Sequence, residues 1–236
     1  MRLALTLAYN GTSFFGSQTQ TQTSNTVLGV LESVLSNLGI ECRVVASGRT
    51  DKGVHATGQV CHIDVPHFWN EPQKLREILN QKLPKTIHVK KIRAVNDTFH
   101  ARYGAKKRVY RYIIKTTESN PFENDFITFD KNADFAQIQT NIQLFIGEHN
   151  FKNFMKTGSN IGSSRREIYK AFAYKHKGLL LLNFEANGFL RSQIRLMVGA
   201  LLQLSAAQIQ EQLSGQKTHK LKPAPSNGLY LARIKY

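Results

Sequence analysis

The chain has 236 residues, enough for one large domain or two small domains that each bury a core. Lysine and arginine number 32 against 16 aspartate and glutamate, and the resulting net charge of +16, spread along the sequence, predicts a folded basic surface for a polyanion such as nucleic acid. No apolar run approaches the roughly 20 residues that span a bilayer, and the two cysteines form no zinc motif, so we expect neither a membrane span nor a metal site. No secretory leader precedes Leu3, so we expect a cytoplasmic protein.

The first hundred residues predict the order strand, helix, strand, strand, helix, strand. Leu3, Leu5 and Leu7 alternate with Ala and Thr, which is the period of a half-buried strand. The apolar residues that follow recur at helical spacing, with Asn25 or Thr26 available as the N-cap. The predicted strands cover residues 3–8, 42–46, 60–65 and 87–95, and the predicted helices cover residues 26–38 and 71–83.

The same order recurs more loosely after a loop at residues 97–107. The predicted strands cover residues 109–115, 167–175, 179–186 and 229–236, and the predicted helices cover residues 133–145, 190–204 and 209–213. This order is typical of the ferredoxin-like split βαβ unit, an antiparallel sheet with two helices on one face. We therefore expect an α+β protein with an N-terminal half, residues 1–103, and a C-terminal half, residues 104–236, whose sheets join across a basic cleft.

A glycine-punctuated loop at residues 47–58 carries one carboxylate, Asp51, among Arg49, Lys52 and His55. Nearby positive charge favours the ionised form of an acid, which makes Asp51 a candidate nucleophile. The alternative is an ordinary turn, in which a short polar side chain bonds nearby amides and glycine supplies a positive φ. The predicted loop is long for a turn alone, because about twelve residues join two strands that two to five residues would connect.

Cations and tyrosines alternate at residues 101–112, a mixture that suits RNA or an extruded nucleotide. Strand alternation places Tyr110 and Tyr112 on one face, so at least one of them is also a candidate core residue. On the helix from residue 190, Arg191 and Arg195 lie one turn apart, where they could snorkel to water or pair with the carboxylate of Asp51. The basic residues that we assign as candidate RNA contacts are Arg49, Lys52, His55, Arg102, Lys106, Lys107, Arg108, Arg165, Arg166 and Arg191.

Residues 48–56, Gly-Arg-Thr-Asp-Lys-Gly-Val-His-Ala, closely resemble the GRTDxGVHA signature of the tRNA pseudouridine synthase A family. Other blocks of that family follow in order over nearly the whole chain. They include residues 58–60, 99–102, 110–112, 147–149, 189–195 and 228–231. Three positions depart from the family pattern: Ser17 stands where tryptophan is usual, Leu28 where glutamine often follows valine, and Asn150 where aspartate is frequent.

The resemblance implies the pseudouridine synthase fold, built of two ferredoxin-like halves. It also implies conversion of uridine to pseudouridine at positions 38 to 40 of tRNA, in the anticodon arm, by a homodimer that needs no cofactor. Asp51 matches the catalytic aspartate of the family, Tyr110 the active-site tyrosine and Arg195 the arginine that pairs with the aspartate.

Two other functions are compatible with the same residues. A non-catalytic RNA-binding protein would use the same sheet and charge without any role for Asp51. A metal-dependent nuclease fits less well, because no second acid lies near Asp51 in the sequence to help hold Mg²⁺.

Overall fold

The computed structural model describes residues 1–156, 158 and 162–236. It divides into two compact units, which are Met1–Lys106 together with Tyr230–Tyr236, and Lys107–Leu229. We call them the first unit and the second unit. The sequence placed the last seven residues with the C-terminal half, whereas Tyr230 and Leu231 pair in parallel with His55 and Ala56 of the first unit.

The first unit has the predicted order strand, helix, strand, strand, helix, strand. Its elements are β1 (Arg2–Tyr9), α1 (Val27–Ser36), β2 (Val45–Ala46), β3 (His55–Asp64), α2 (Pro72–Lys82) and β4 (Ile87–Ala94). Strand β1 pairs antiparallel with β3 and β4, and β2 pairs antiparallel with β3. The final strand of the chain, β10 (Leu229–Lys235), adds to β3 in parallel.

One face of the first sheet forms the core. Leu3, Leu5 and Leu7 are fully buried, whereas Arg2 and Thr6 on the opposite face of β1 are half-buried. This alternation confirms the period-two pattern of the sequence. The main differences from the predicted bounds concern β2, which has only two residues, and β3, which begins at His55 rather than at residue 60.

The second unit also carries a mostly antiparallel sheet with helices. Its elements are β5 (Lys107–Lys115), β6 (Thr128–Phe129), α3 (Phe135–Asn141), a 3-10 helix (Ile142–Phe145), β7 (Gly147–Asn150), a second 3-10 helix (Phe151–Phe154), β8 (Arg165–His176), β9 (Leu179–Ala186), α4 (Gln193–Gln203) and α5 (Ala206–Ser214). Strand β9 pairs antiparallel with β5 and β8, and β8 pairs antiparallel with β7. The predicted α+β class is confirmed in both units.

Helix ends in the second unit differ from the predictions for local reasons. Helix α4 begins at Gln193 instead of residue 190, because Ser192 adopts a left-handed conformation with a φ of 59°. Helix α5 extends beyond the predicted residues 209–213, because Ser205 and Gln208 form a capping box at its start. The short strands β6 and β7 were not predicted, since two to four residues show no reliable alternation.

Candidate active site

Asp51 lies in the connection between β2 and β3 of the first unit, at residues 47–54. The connection is shorter than expected because β3 already begins at His55. The backbone carbonyl of Asp51 accepts from the Val54 amide at 3.1 Å, and Gly53 has a φ of 77°. The backbone of Asp51 is therefore that of a turn, as the alternative interpretation expected, and its side chain is half-buried.

The residue before Asp51 is held from both sides by Ser17. The Ser17 amide donates to the Thr50 carbonyl at 3.1 Å, and the Thr50 amide donates to Ser17 Oγ at 2.9 Å. Thr50 Oγ1 also lies 2.9 Å from the hydroxyl of Tyr9, and burial raises the pKa of Tyr9 to about 12, which keeps that hydroxyl protonated. Gly16 has a φ of 100°, and a Cβ there would lie 2.9 Å from the Thr50 carbonyl oxygen. Close contact between the backbones of Gly16 and Thr50 therefore restricts the backbone directly before Asp51.

The start of the loop is held in the same way by Gln59. Ser47 Oγ donates to Gln59 Oε1 at 2.6 Å, and Gln59 Nε2 donates to the Gly48 carbonyl at 2.7 Å. Gln59 is fully buried in β3. Hydrogen bonds to Gln59 in β3 on one side and to Ser17 on the other therefore hold the backbone of the Asp51 loop against the rest of the first unit.

We predict that replacing Ser17 by Ala destabilises the protein. The change removes the acceptor of the Thr50 amide, and both residues are buried at 1% and 6% exposure. A buried donor left without its partner costs about 1–3 kcal/mol, so the melting temperature should fall by roughly 2–12 °C. Thermal unfolding measures this, with Ser33→Ala on the exposed face of α1 as the matched control. Equal melting temperatures for the two variants would show that Ser17 does not secure the loop.

Two of the cations flanking Asp51 are exposed and are oriented by the segment around Ser17. Arg49 Nε donates to Gln18 Oε1 at 3.1 Å. Lys52 Nζ lies 4.3 Å from the centre of the Phe15 ring, a cation–π distance. Both cations are therefore fixed at the surface on either side of Asp51 in the sequence, where a polyanion can reach them.

His55 does not occupy such a surface position, and its assignment as an RNA contact is corrected here. The ring is 1% exposed, its Nδ1 accepts from the Gly11 amide at 3.1 Å, and it stacks on Tyr230 with ring centres 4.7 Å apart. A buried ring cannot meet a phosphate without leaving these partners. Arg102 and Lys106, in contrast, are exposed in the same unit.

Tyr110 and Tyr112 lie on one face of β5, as predicted, and the structure separates their roles. Tyr112 is fully buried, donates to the Pro225 carbonyl at 2.8 Å and lies 2.7 Å from Thr128 Oγ1. Burial raises the pKa of Tyr112 well above its usual value, so it is a neutral core residue. Tyr110 is 8% exposed and makes an edge-to-face contact with Phe189, with ring centres 5.2 Å apart. Tyr110 is the tyrosine that remains a candidate for chemistry.

Arg195 lies on α4 and is oriented by the segment that follows α5. Its Nε donates to the Ala224 carbonyl at 2.7 Å, and its own carbonyl accepts from the Ala224 amide at 2.8 Å. Arg191 precedes the first residue of α4 and is exposed, and its carbonyl accepts from the Lys156 amide at 3.0 Å. The prediction that Arg191 and Arg195 both lie on this helix is therefore wrong. Arg195 lies on α4 with its Nε bound to Ala224, whereas Arg191 precedes the helix.

Two half-buried arginines of the second unit, Arg108 and Arg166, are near enough for the charge of one to influence the other. Arg108 donates to the Asn187 carbonyl at 2.7 Å, and Arg166 donates to the Ser163 carbonyl at 2.9 Å. Burial, and then the charge of Arg108, lower the pKa of Arg166 below its usual value. Like charges repel each other, so an anion bound near both arginines would relieve this repulsion.

Lys107 and Arg165, two more basic candidates of this unit, already have acidic partners. Lys107 Nζ lies 3.3 Å from Glu185 Oε1 and 4.5 Å from the centre of the Tyr169 ring. Arg165 pairs with Glu148 at 3.1 Å, and both side chains are exposed. Their contribution to polyanion binding should be smaller than that of Arg108 and Arg166, since part of their charge is neutralised.

The predicted catalytic trio is thus distributed over both units, with Asp51 in the first and Tyr110 and Arg195 in the second. Sequence reasoning missed Ser17 and Gln59, which position the Asp51 loop. Within the described ranges, no group of three or more His, Cys, Asp or Glu side chains is arranged to hold a metal ion. No helix in the described part of the chain has the length and hydropathy to cross a bilayer.

Comparison with known proteins assigns the family. A family model described as tRNA pseudouridine synthase matches residues 6–104 and 142–236, which include Asp51 and Arg195, whereas Tyr110 lies between the matched segments. The tRNA pseudouridine synthase A of Helicobacter hepaticus is 40% identical over 240 residues, covering 98% of this chain and 97% of that protein. The protein of the same name from Campylobacter jejuni is 36% identical over 241 residues, covering both chains completely.

Among solved structures, the crystal structure of a Cbf5-Nop10-Gar1 complex matches with a TM-score of 0.36 and 13% identity, over 85% of this chain and 45% of the matched chain. That likeness is too low to support an inference, and the sequence comparisons carry the assignment. The chain belongs to the tRNA pseudouridine synthase A family and has the pseudouridine synthase fold.

Proposed function

We propose that this protein isomerises uridine to pseudouridine in tRNA, at positions 38, 39 and 40 of the anticodon arm, with Asp51 as the nucleophile and without a cofactor. The observation that carries the proposal is that family membership over the full chain coincides with an Asp51 loop held in place by Ser17 and Gln59. A catalytic carboxylate needs such fixed placement, because small displacements of a reacting group are costly.

The reaction breaks the bond between N1 of uracil and C1′ of ribose, and it forms a bond between C5 and C1′. A proton leaves C5 and a proton is gained at N1, so no group is lost and no electrons are transferred overall. This balance is the reason for proposing that no redox cofactor takes part. A carboxylate can serve the reaction by attacking either C6 of uracil or C1′ of ribose, and both routes use Asp51 in its ionised form.

We assign supporting roles to Tyr110 and Arg195. Tyr110 would stack on the uracil or assist removal of the C5 proton. Arg195 would pair with the Asp51 carboxylate, since a guanidinium whose Nε is already fixed on Ala224 presents its remaining donors in a set direction. The target nucleotide has to leave its stacked position, which costs a few kcal/mol that contacts within the pocket must offset.

Substrate binding is proposed to depend on the exposed and half-buried cations described above. Arg49 and Lys52 flank Asp51 in the first unit, and Arg108 and Arg166 form the like-charged pair of the second. Together with the net charge of +16, they suit the phosphate backbone of RNA.

The test is an isomerisation assay on tRNA transcripts that contain uridine labelled with tritium at C5. Release of tritium is expected, because the C5–H bond is lost when C5 bonds to ribose. Mapping should locate pseudouridine at positions 38, 39 and 40, and transcripts with cytidine at these positions should release none. Binding of tRNA without tritium release from any transcript would instead identify a non-catalytic RNA-binding protein.

The same proposal includes a cytoplasmic homodimer, as the family resemblance implies. Sedimentation provides the measurement, since a dimer has twice the 26.7 kDa mass of the chain. A single-chain mass at working concentrations would remove the dimer from the proposal.

A further inference from the structure

An exposed aromatic ring with an ordered backing lies outside the Asp51 loop, in the segment that follows β4. Tyr103 is 79% exposed, and its ring stacks on that of His100 with centres 4.4 Å apart and planes inclined by 29°. The guanidinium of Arg102 lies 5.8 Å from the centre of the Tyr103 ring. A tyrosine, an imidazole and an exposed cation therefore share one small surface, which we call the Tyr103 platform.

Hydrogen bonds within the segment hold the platform in one conformation. His100 Nδ1 accepts from the amides of Arg102 at 3.2 Å and Tyr103 at 3.1 Å. The Gly104 amide donates to the His100 carbonyl at 2.9 Å and closes the turn. The stacked pair is thus formed before any ligand binds, so little conformational entropy is lost when a ligand covers it.

Buried contacts attach this turn to the sheet of the first unit. The amide of Ala101 donates to His62 Nδ1 at 3.1 Å, and the hydroxyl of Tyr236 donates to the Ala101 carbonyl at 2.8 Å. Arg2 donates to the Phe99 carbonyl at 3.1 Å. Burial, and then the charge of Arg2, lower the pKa of His62, which favours the neutral ring that this acceptor role requires. The turn is anchored on β1, on β3 and on Tyr236, the residue that follows β10.

The chemistry of the platform favours a nucleobase. An aromatic ring with a solvent-exposed face stacks on any base, and a neighbouring arginine adds attraction to the nucleic acid. A protein partner would be expected to bury a wider apolar surface, whereas the platform includes the exposed cation Arg102 and belongs to a chain of net charge +16. Phe68, another exposed ring of this unit, packs beside Trp69 instead.

We propose that Tyr103, backed by His100 and flanked by Arg102, stacks on an unpaired base of the bound tRNA. This inference rests on the proposed function for the identity of the RNA, and it adds a base contact separate from the nucleotide that reacts at Asp51. Base stacking of this kind supplies affinity with little dependence on the base sequence.

The experiment compares tRNA affinity for the wild type, Tyr103→Ala, Tyr103→Leu and Tyr103→Phe over a series of salt concentrations. We expect Ala and Leu to raise the dissociation constant by about fivefold to 150-fold, because each removes the aromatic face, and Phe to bind like the wild type. Phe122→Ala, which removes a ring that is 90% exposed in the second unit, is the matched control and should have no effect.

The salt series separates stacking from charge. Tyr103→Ala should leave the slope of affinity against salt unchanged, because a stacked base releases no counterion, whereas Arg102→Ala should reduce the slope by about 0.9 if the guanidinium also meets a phosphate. Wild-type affinity in Tyr103→Ala and Tyr103→Leu would overturn the proposal. So would equal weakening in Tyr103→Phe, or a change in sedimentation mass that places the ring against a second copy of the chain.

Failure of this inference is distinguishable from failure of the proposed function. If a Tyr103→Ala protein releases tritium and binds tRNA with unchanged affinity, the stacking role of Tyr103 is wrong and the proposed isomerase function stands. If the wild-type protein releases no tritium but its RNA affinity depends on the ring of Tyr103, the stacking role stands and the proposed isomerase function is wrong.

Discussion

Replacement of Asp51 by Asn is expected to reduce pseudouridine formation by on the order of 10⁴-fold or more while tRNA remains bound. Asparagine has the shape of aspartate and keeps the hydrogen bond from the Val54 amide to the carbonyl of residue 51. The side-chain amide, however, is a poor nucleophile. Affinity for tRNA should be unchanged or slightly higher, because the change removes a negative charge from the surface that we propose to bind a polyanion. Tritium release and filter binding on the same protein preparation measure the two quantities.

Two further variants sharpen the interpretation. Asp51→Glu keeps the charge but moves the carboxylate by about one bond length, and activity should fall by about 100-fold because the loop that carries it is fixed by Ser17 and Gln59. Asp125→Asn changes an exposed carboxylate of the second unit and should behave like the wild type. Tritium release by Asp51→Asn within tenfold of the wild type would end the nucleophile assignment.

Replacement of Arg195 by Ala is expected to lower kcat by about 100-fold and to change tRNA affinity by less than threefold. The reason is the proposed pairing with Asp51: Arg195 is half-buried and its Nε is bound to the Ala224 carbonyl, and a guanidinium held in this way suits the orientation of a carboxylate. Steady-state tritium release at saturating tRNA measures kcat, and filter binding measures the dissociation constant.

Arg195→Lys tests the role of the guanidinium group, and it serves as a second variant in case Arg195→Ala does not fold. Lysine keeps the charge and much of the packing but offers no bidentate geometry, so activity should remain well below that of the wild type. Arg43→Ala, at an exposed arginine of the first unit, is the control for loss of one positive charge. If Arg195→Ala weakened tRNA binding and left kcat intact, a phosphate contact would be the better assignment.

The family and the general class of the fold could be predicted because their signals are local. The alternation of Leu3, Leu5 and Leu7 describes β1 correctly, since one face of a strand is buried whatever its neighbours are. Residues 48–56 likewise carry the family signature in one uninterrupted block. The identity of the catalytic candidates, Asp51, Tyr110 and Arg195, came from the same local matches and stays a prediction.

Features that depend on contacts between distant residues could not be predicted. His55 looks like a loop cation in the sequence, and only its bond to Gly11 and its stacking on Tyr230 reveal a buried strand residue. Ser17 looks like a departure from the family pattern, yet it fixes the backbone next to Asp51. Such contacts have no periodicity, because each joins segments that are separated by tens to hundreds of residues.

The sequence by itself determined that this is a basic α+β protein of the tRNA pseudouridine synthase A family, since charge, short-range periodicity and a continuous motif are all properties of neighbouring residues. Only the tertiary structure decided that the last strand pairs with β3, that Tyr112 belongs to the core and that Ser17 and Gln59 hold the Asp51 loop. The physical reason is that strand pairing and burial are set by which distant surfaces meet, and period-two alternation specifies a strand without specifying its partner.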